Sequence, residues 1–207
     1  MTTPIRPVST VGALADALRR RVLSGELPAG TALPEQDLCA RYGVARPTVR
    51  EALALLAHEG LLRRERHRSA QVAEVTAADL ADLMFVRRPL EDLMAAALAG
   101  RRVAEADEAL ARMAALPGES PWSEVVAEHM ALHQALITAV GSPRLERLYG
   151  TLAAETRLGL VRLRTVYPDR EVLVAEHRDL LDAIGRGPVE AARRAVAVHL
   201  DHGWGVP

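Results

Sequence analysis

Four of the seven histidines fall at helical spacings that turn them toward a core. His129 and His133 stand four apart in EHMALH, on the stripe Val126, His129, His133, Leu136, Val140. His177 lies on Leu173, His177, Leu180, Leu181, Ile184, and His199 lies on Ala192, Val196, His199. A histidine pair at i, i+4 sets two ring nitrogens side by side on one helix face, about the separation a metal ion requires. Two further rings from neighbouring helices would complete a four-nitrogen shell. The plainer alternative is four hydrogen-bonded core histidines. A catalytic zinc site is a third reading, but HMALH lacks the glutamate of H-E-x-x-H that would act as base. Glu128, next to His129, projects about 100° away around a helix.

A second constellation lies in VARPTVREALALLAHEGLLRR, residues 44–64. Arg46, Pro47, Thr48 and Arg50 stand at the start of a helix whose later turns, Val49, Ala52, Leu53 and Leu56, face a core. Pro47 fits a first turn, where a missing N–H costs nothing. Each arginine can give a forked donor pair to guanine O6 and N7 or hold a phosphate, and a helix N-terminus favours phosphate. Thr48 can bond a base or a phosphate. Arg66, His67 and Arg68, at the turn of a short ribbon, can reach the DNA backbone or the minor groove. The alternative is a solvated charged face.

Arg87 is the third. It lies on the inward stripe Leu80, Met84, Arg87, Leu90, Met94. A buried guanidinium needs a partner: either Glu91, one turn on, or a carboxylate ligand clamped beside a metal. Arg157, Arg162 and Arg164 are further candidates to line such a pocket.

The elements that position these residues follow from caps and breakers. Thr10 can cap a helix to about Leu23. SGELPAGTALP breaks it, a short helix runs from Glu35 to Tyr42, and Gly43 supplies a left-handed cap. The arginine-headed helix ends at Gly60, and LLRRERHRSAQVAEV reads as a two-stranded ribbon turning near Arg66–Ser69. This is a winged helix-turn-helix ending near Val75. Six helices follow: from a Thr76/Asp79 capping box to about Ala99, then 103–116, 120–140, 142–166, 169–184 and 187–202. Short connections between them imply an antiparallel six-helix bundle. The fold class is all-α dominated, with domains 1–75 and 76–207.

The charge distribution agrees with two jobs. Residues 1–70 carry eleven arginines against seven acids, and residues 71–207 carry fifteen against twenty. Apolar residues make up 49% of the 207, a globular composition. The single cysteine, Cys39, excludes an internal disulfide and reads as a small buried side chain. Without a secretory leader pattern or a run of about 20 apolar residues, a cytoplasmic protein with no membrane partner is expected.

LRRRVLSGELPAGTALPEQDLCARYGVARPTVREALALLAHEGLLRR resembles the DNA-binding domain of GntR-type bacterial regulators. The resemblance implies operator contacts by Arg46 and Arg50, helped by Thr48 and the wing tip, with Gln36 at a position that is Arg in some members. Ala45 stands where Ser is usual, which removes a helix-cap oxygen, and Ser69 stands where the wing turn carries Gly. Residues 77–203 resemble the FCD ligand-binding domain of the FadR-type subfamily through VRRPLE, LHQALITAVGSPRL and EHRDLLDAI…EAARRAVAVHL. That resemblance implies a divalent metal on His129, His133, His177 and His199, with His129 in place of the usual Asp. An imidazole there favours zinc or nickel over manganese. It further implies a homodimer on palindromic double-stranded operator DNA, and a small organic-acid effector bound near Arg87 that shifts the winged domains. The expected function is a ligand-responsive transcriptional repressor, not an enzyme. A metal-sensing regulator, or a metal-dependent hydrolase fused to a DNA-binding module, is the alternative.

Overall fold

The computed structural model describes residues 9–64, 68–162 and 169–204. They form two compact units, one up to Glu74 and one from Val75 onward.

The first unit holds helices α1 (Thr10–Leu23), α2 (Glu35–Tyr42) and α3 (Arg46–His58), with strands β1 (Ala32–Leu33), β2 (Leu62–Arg63) and β3 (Ala70–Val72). Ser9, one residue before the expected Thr10, caps α1: its hydroxyl accepts from the Gly12 N–H at 3.0 Å. Gly43 ends α2 in the left-handed region at φ 64°, so the chain can turn at once into α3. Leu14 and Leu18 of α1, Leu38 of α2 and Val49, Leu53 and Leu56 of α3 are buried together. Arg19 of α1 also holds Glu59 beyond α3, donating from Nε at 2.8 Å.

The expected two-stranded ribbon is one strand short. The sheet has three antiparallel strands in the order β1-β3-β2, with Leu33 opposite Ala70 and Leu62 opposite Val72. β1 lies inside SGELPAGTALP; of its two residues Leu33 is buried and Ala32 exposed, too few to display alternation. Cys39 is half-buried, not the buried side chain expected.

The second unit comprises α4 (Ala77–Leu98), α5 (Ala104–Ala115), α6 (Trp122–Ala139), α7 (Pro143–Arg162), α8 (Arg170–Arg186) and α9 (Val189–Trp204). Local chemistry fixes their starts. Thr76 and Asp79 form a reciprocal capping box on α4, and Asp169 caps α8 by accepting from the Glu171 N–H. α4 packs on α9 and α7, α6 lies between α5 and α7, and α8 meets α5 and α9. The core runs from Met94 and Leu98 through Leu132, Leu136 and Ile137 to Leu180, Ile184 and Val196. Four histidines and one arginine sit inside this apolar packing. Among the described residues, no helix is long and apolar enough to cross a membrane.

Candidate nucleic-acid interface and metal centre

In the first unit, the Ala45 methyl offers no cap, so the first amides of α3 have no side-chain oxygen from that position. Arg46 and Pro47 in the first turn are exposed, Thr48 is half-exposed, and Val49 turns inward. Arg50 is exposed and its Nε donates to both oxygens of Glu35, at 3.0 and 2.9 Å. Arg46 shares a cleft of about 310 Å³ with Gln36, Arg64, Arg68 and Ser69. The start of α2, the start of α3 and the ribbon thus bring three guanidiniums to one concave face. Arg64 was missing from the sequence reading. The basic run LLRRERHR carries the signal for it, at the base of the ribbon as well as at the tip. Arg66 and His67 lie outside the described residues.

In the second unit, His129 and His133 of α6, His177 of α8 and His199 of α9 are all buried. One nitrogen from each lies within 4.8 Å of the others. His133 Nε2 is 3.3 Å from His177 Nε2 and 3.2 Å from His199 Nε2. Four nitrogens about 2.0 Å from a zinc ion at tetrahedral corners are about 3.3 Å apart. The outer nitrogens explain which edges face inward. His177 Nδ1–H donates to the Leu173 carbonyl at 2.7 Å, and His199 Nδ1–H to Glu176 at 2.8 Å. Both Nε2 atoms therefore present lone pairs to His133. Burial first, and then the neighbouring imidazoles, hold His129 and His133 well below the ordinary histidine range; burial and His199 push His177 down to about 3. Neutral rings with converging lone pairs are the donor set a divalent cation takes. These residues fit a metal ion, and His129 Nδ1, buried without a hydrogen-bond partner, adds an unspent donor.

Arg87 realises the nearer of its two expected partners. It donates from Nε to Glu91 Oε1 at 2.9 Å, from Nη2 to the same oxygen, and from Nη2 to the Tyr149 hydroxyl at 3.0 Å. Burial alone would lower the guanidinium pKa, but Glu91 and Tyr149 outweigh it and raise it. Burial also raises Tyr149, so the phenol stays protonated. Tyr149, contributed by α7, was not in the sequence reading. Its i, i+4 spacing from Leu145 is a signal of burial, but nothing local marks its partner. Glu128 points out of the cluster to Arg112, at 2.9 Å. Arg157 is half-buried on α7; the side chain of Arg162 and all of Arg164 lie outside the described residues.

Comparison with known proteins agrees with both halves. Residues 10–72 match the family described as bacterial regulatory proteins, gntR family, and residues 82–202 match the FCD domain. An HTH-type transcriptional regulator in an unstable DNA locus of Streptomyces ambofaciens is 36% identical over 191 residues, covering 88% of this chain and 78% of that protein. The gluconate operon transcriptional repressor of Bacillus subtilis (strain 168) is 28% identical, over 85% of this chain and 76% of its own. The crystal structure of a GntR transcriptional regulator from Rhodococcus sp. RHA1 superposes with a TM-score of 0.81 at 25% identity, covering 94% of this chain and 95% of that one. The chain therefore belongs to the GntR family of bacterial regulatory proteins and carries an FCD domain: it is a ligand-responsive, DNA-binding transcription regulator.

Proposed function

We propose that the protein is a homodimeric repressor whose helical unit takes a divalent metal on His129, His133, His177 and His199, and whose operator affinity falls when a small organic acid binds there. The observation that carries this reading is the convergence of His177 Nε2 and His199 Nε2 on His133 Nε2, at 3.3 and 3.2 Å, with the outer nitrogens of His177 and His199 already committed. Zinc or nickel suits an all-imidazole shell better than manganese. Bound there, a dication supplies open coordination positions to an acid's carboxylate. Arg87 lies near His129 and His133, in an ion pair with Glu91 that an acid's carboxylate would have to displace.

On DNA, Arg46, Pro47, Thr48 and Arg50 head the helix that enters the major groove. Gln36, Arg64 and Arg68 hold the backbone beside it, and the sequence adds His67 to the same set. Two such helices on a palindrome need half-sites about one turn apart, hence the homodimer. The repressor reading is favoured by operon repressors among the relatives. For the acid to act, it must bind one state of the regulator better than the other. The hydrolase alternative loses the acid beside His129 as a base, since Glu128 faces Arg112.

The test is operator binding by the full chain, on a duplex selected from a random library. Metal-free and zinc-loaded protein are compared with and without a panel of mono- and dicarboxylic acids. The reading expects an acid to weaken binding only when zinc is loaded. Chelation alone changing affinity would favour metal sensing instead. No response to either would overturn the proposal.

A further inference from the structure

We propose that Glu91 is a positioning residue for His133: its free carboxylate oxygen takes the His133 Nδ1–H and so holds that ring's Nε2 toward the metal. The inference rests on the metal reading above and goes beyond it to a residue outside the imidazole set. Metal-bound histidines commonly give their second ring N–H to an acceptor that fixes tautomer and orientation. Two of the cluster already do so, His177 to the Leu173 carbonyl and His199 to Glu176. His133, like His129, does not. Its Nδ1 is buried without a hydrogen-bond partner, and so is Glu91 Oε2. These two orphaned atoms face each other at 3.6 Å.

Two unsatisfied polar atoms in a core are each costly, and one small closure removes both costs. The alternative tautomer puts the proton on Nε2 and leaves a bare Nδ1 lone pair against a carboxylate oxygen. That arrangement is repulsive and spends the nitrogen a metal would use. Glu91 itself cannot drift, because its other oxygen accepts from Arg87 Nε at 2.9 Å and from the Tyr149 hydroxyl at 3.2 Å. Both Arg87 and Glu91 are almost fully buried, at 2% and 1% exposure. Helices α4 and α7 thereby clamp a carboxylate whose remaining oxygen is aimed at α6. This also gives Arg87 a role that needs no direct ligand contact: it aims Glu91.

The experiment uses the full chain, zinc and a competing chromophoric chelator, with the His133 Nδ1 proton followed by NMR on the loaded protein. Glu91→Gln is expected to weaken zinc binding 10- to 100-fold and to move that proton upfield. Glu91→Asp keeps the charge beside Arg87, so it remains informative if Glu91→Gln does not fold. Its shorter arm is expected to shift the same proton and lower affinity. Affinities within twofold of the parent and an unmoved proton in the folded Glu91 variants, with His133→Ala abolishing binding, would overturn this inference alone. Equal zinc binding by the parent and His133→Ala would overturn the metal reading and this inference with it.

Discussion

The two units use their polar side chains in opposite ways. The first puts arginines where water and a partner can reach them: Arg46, Arg50, Arg64 and Arg68 are exposed around the start of α3. The second buries its chemistry, with His129, His133, His177 and Arg87 all inside the bundle. An exposed guanidinium costs little to keep and gains energy only when a partner arrives. A buried imidazole pays its desolvation at folding and must be neutral to do so. The difference teaches that mutation should separate the units by phenotype, with binding lost from one and stability or metal affinity lost from the other.

The largest break in that comparison is Arg46→Ala with Arg50→Ala. Each bidentate base contact is worth about 1–3 kcal/mol, so the double variant should lose roughly 30-fold to 2 × 10⁴-fold in operator affinity. Fluorescence anisotropy on the selected duplex measures this. Zinc binding and thermal stability of the helical unit should not move, because both arginines are solvent-exposed residues of the other unit. Parent-like DNA affinity would remove α3 from the interface.

His133→Ala makes the complementary break. His133 lies within 3.3 Å of two other imidazole nitrogens, so its loss removes a direct donor. Zinc affinity should fall by more than the roughly 100-fold upper limit for an outer-sphere partner, measured by chelator competition. Metal-free operator binding should stay near the parent's.

Acid should sharpen the contrast without any mutation. His129, His133 and His177 have folded-state pKa values depressed by burial. Below the unfolded value near 6.5 the unfolded chain binds more protons, so stability is full above about pH 6.5 and is lost as pH falls toward 3. For His177 alone, with its value at about 3, the loss at pH 5 is about 2 kcal/mol. Denaturant melts of the metal-free chain at pH 7.5 and 5 should therefore show the helical unit weakening. Equal midpoints would mean these rings are not held neutral.

What the sequence disclosed follows the same division. The exposed tip was legible because Arg46, Pro47 and Arg50 sit beside strong local signals, a first-turn proline and a glycine stop. The four histidines were legible because burial in a helix has a period, and each falls on an apolar stripe. Contacts between elements without a period were not. Tyr149 reaches Glu91 across 58 residues of sequence, and Glu35 reaches Arg50 across fifteen. Nothing local distinguishes Glu35 from an ordinary helix-surface carboxylate, and nothing local ties Tyr149 to Glu91. β1 was hidden for a different reason: two residues between Gly30 and Pro34 pair with β3 only because the ribbon lies beside them. The cap of α1 was off by one because Ser9 and Thr10 are chemically equivalent as caps, and only the backbone chooses.

Glu35→Gln yields the smallest effect, and it has the opposite sign. Glu35 is an acid on a face otherwise rich in arginine, and both its oxygens accept from Arg50 Nε. Such an exposed pair is worth about 0.2–1 kcal/mol. Removing its charge relieves repulsion with nearby phosphates and frees Arg50 to meet the backbone. Affinity for a scrambled duplex should rise about 1.5- to 5-fold, with a steeper salt dependence. The operator should gain less. With Nε tied to Glu35, the two Nη groups of Arg50 are held ready for a guanine edge, and an untethered side chain must pay rotamer entropy to adopt that pose. The ratio of specific to scrambled affinity should therefore narrow. Titrating both duplexes at several salt concentrations measures both quantities. If neither affinity nor salt slope changes, Glu35 is a bystander, and the difference between the units reduces to exposed arginines and buried histidines without any acid tuning the exposed ones.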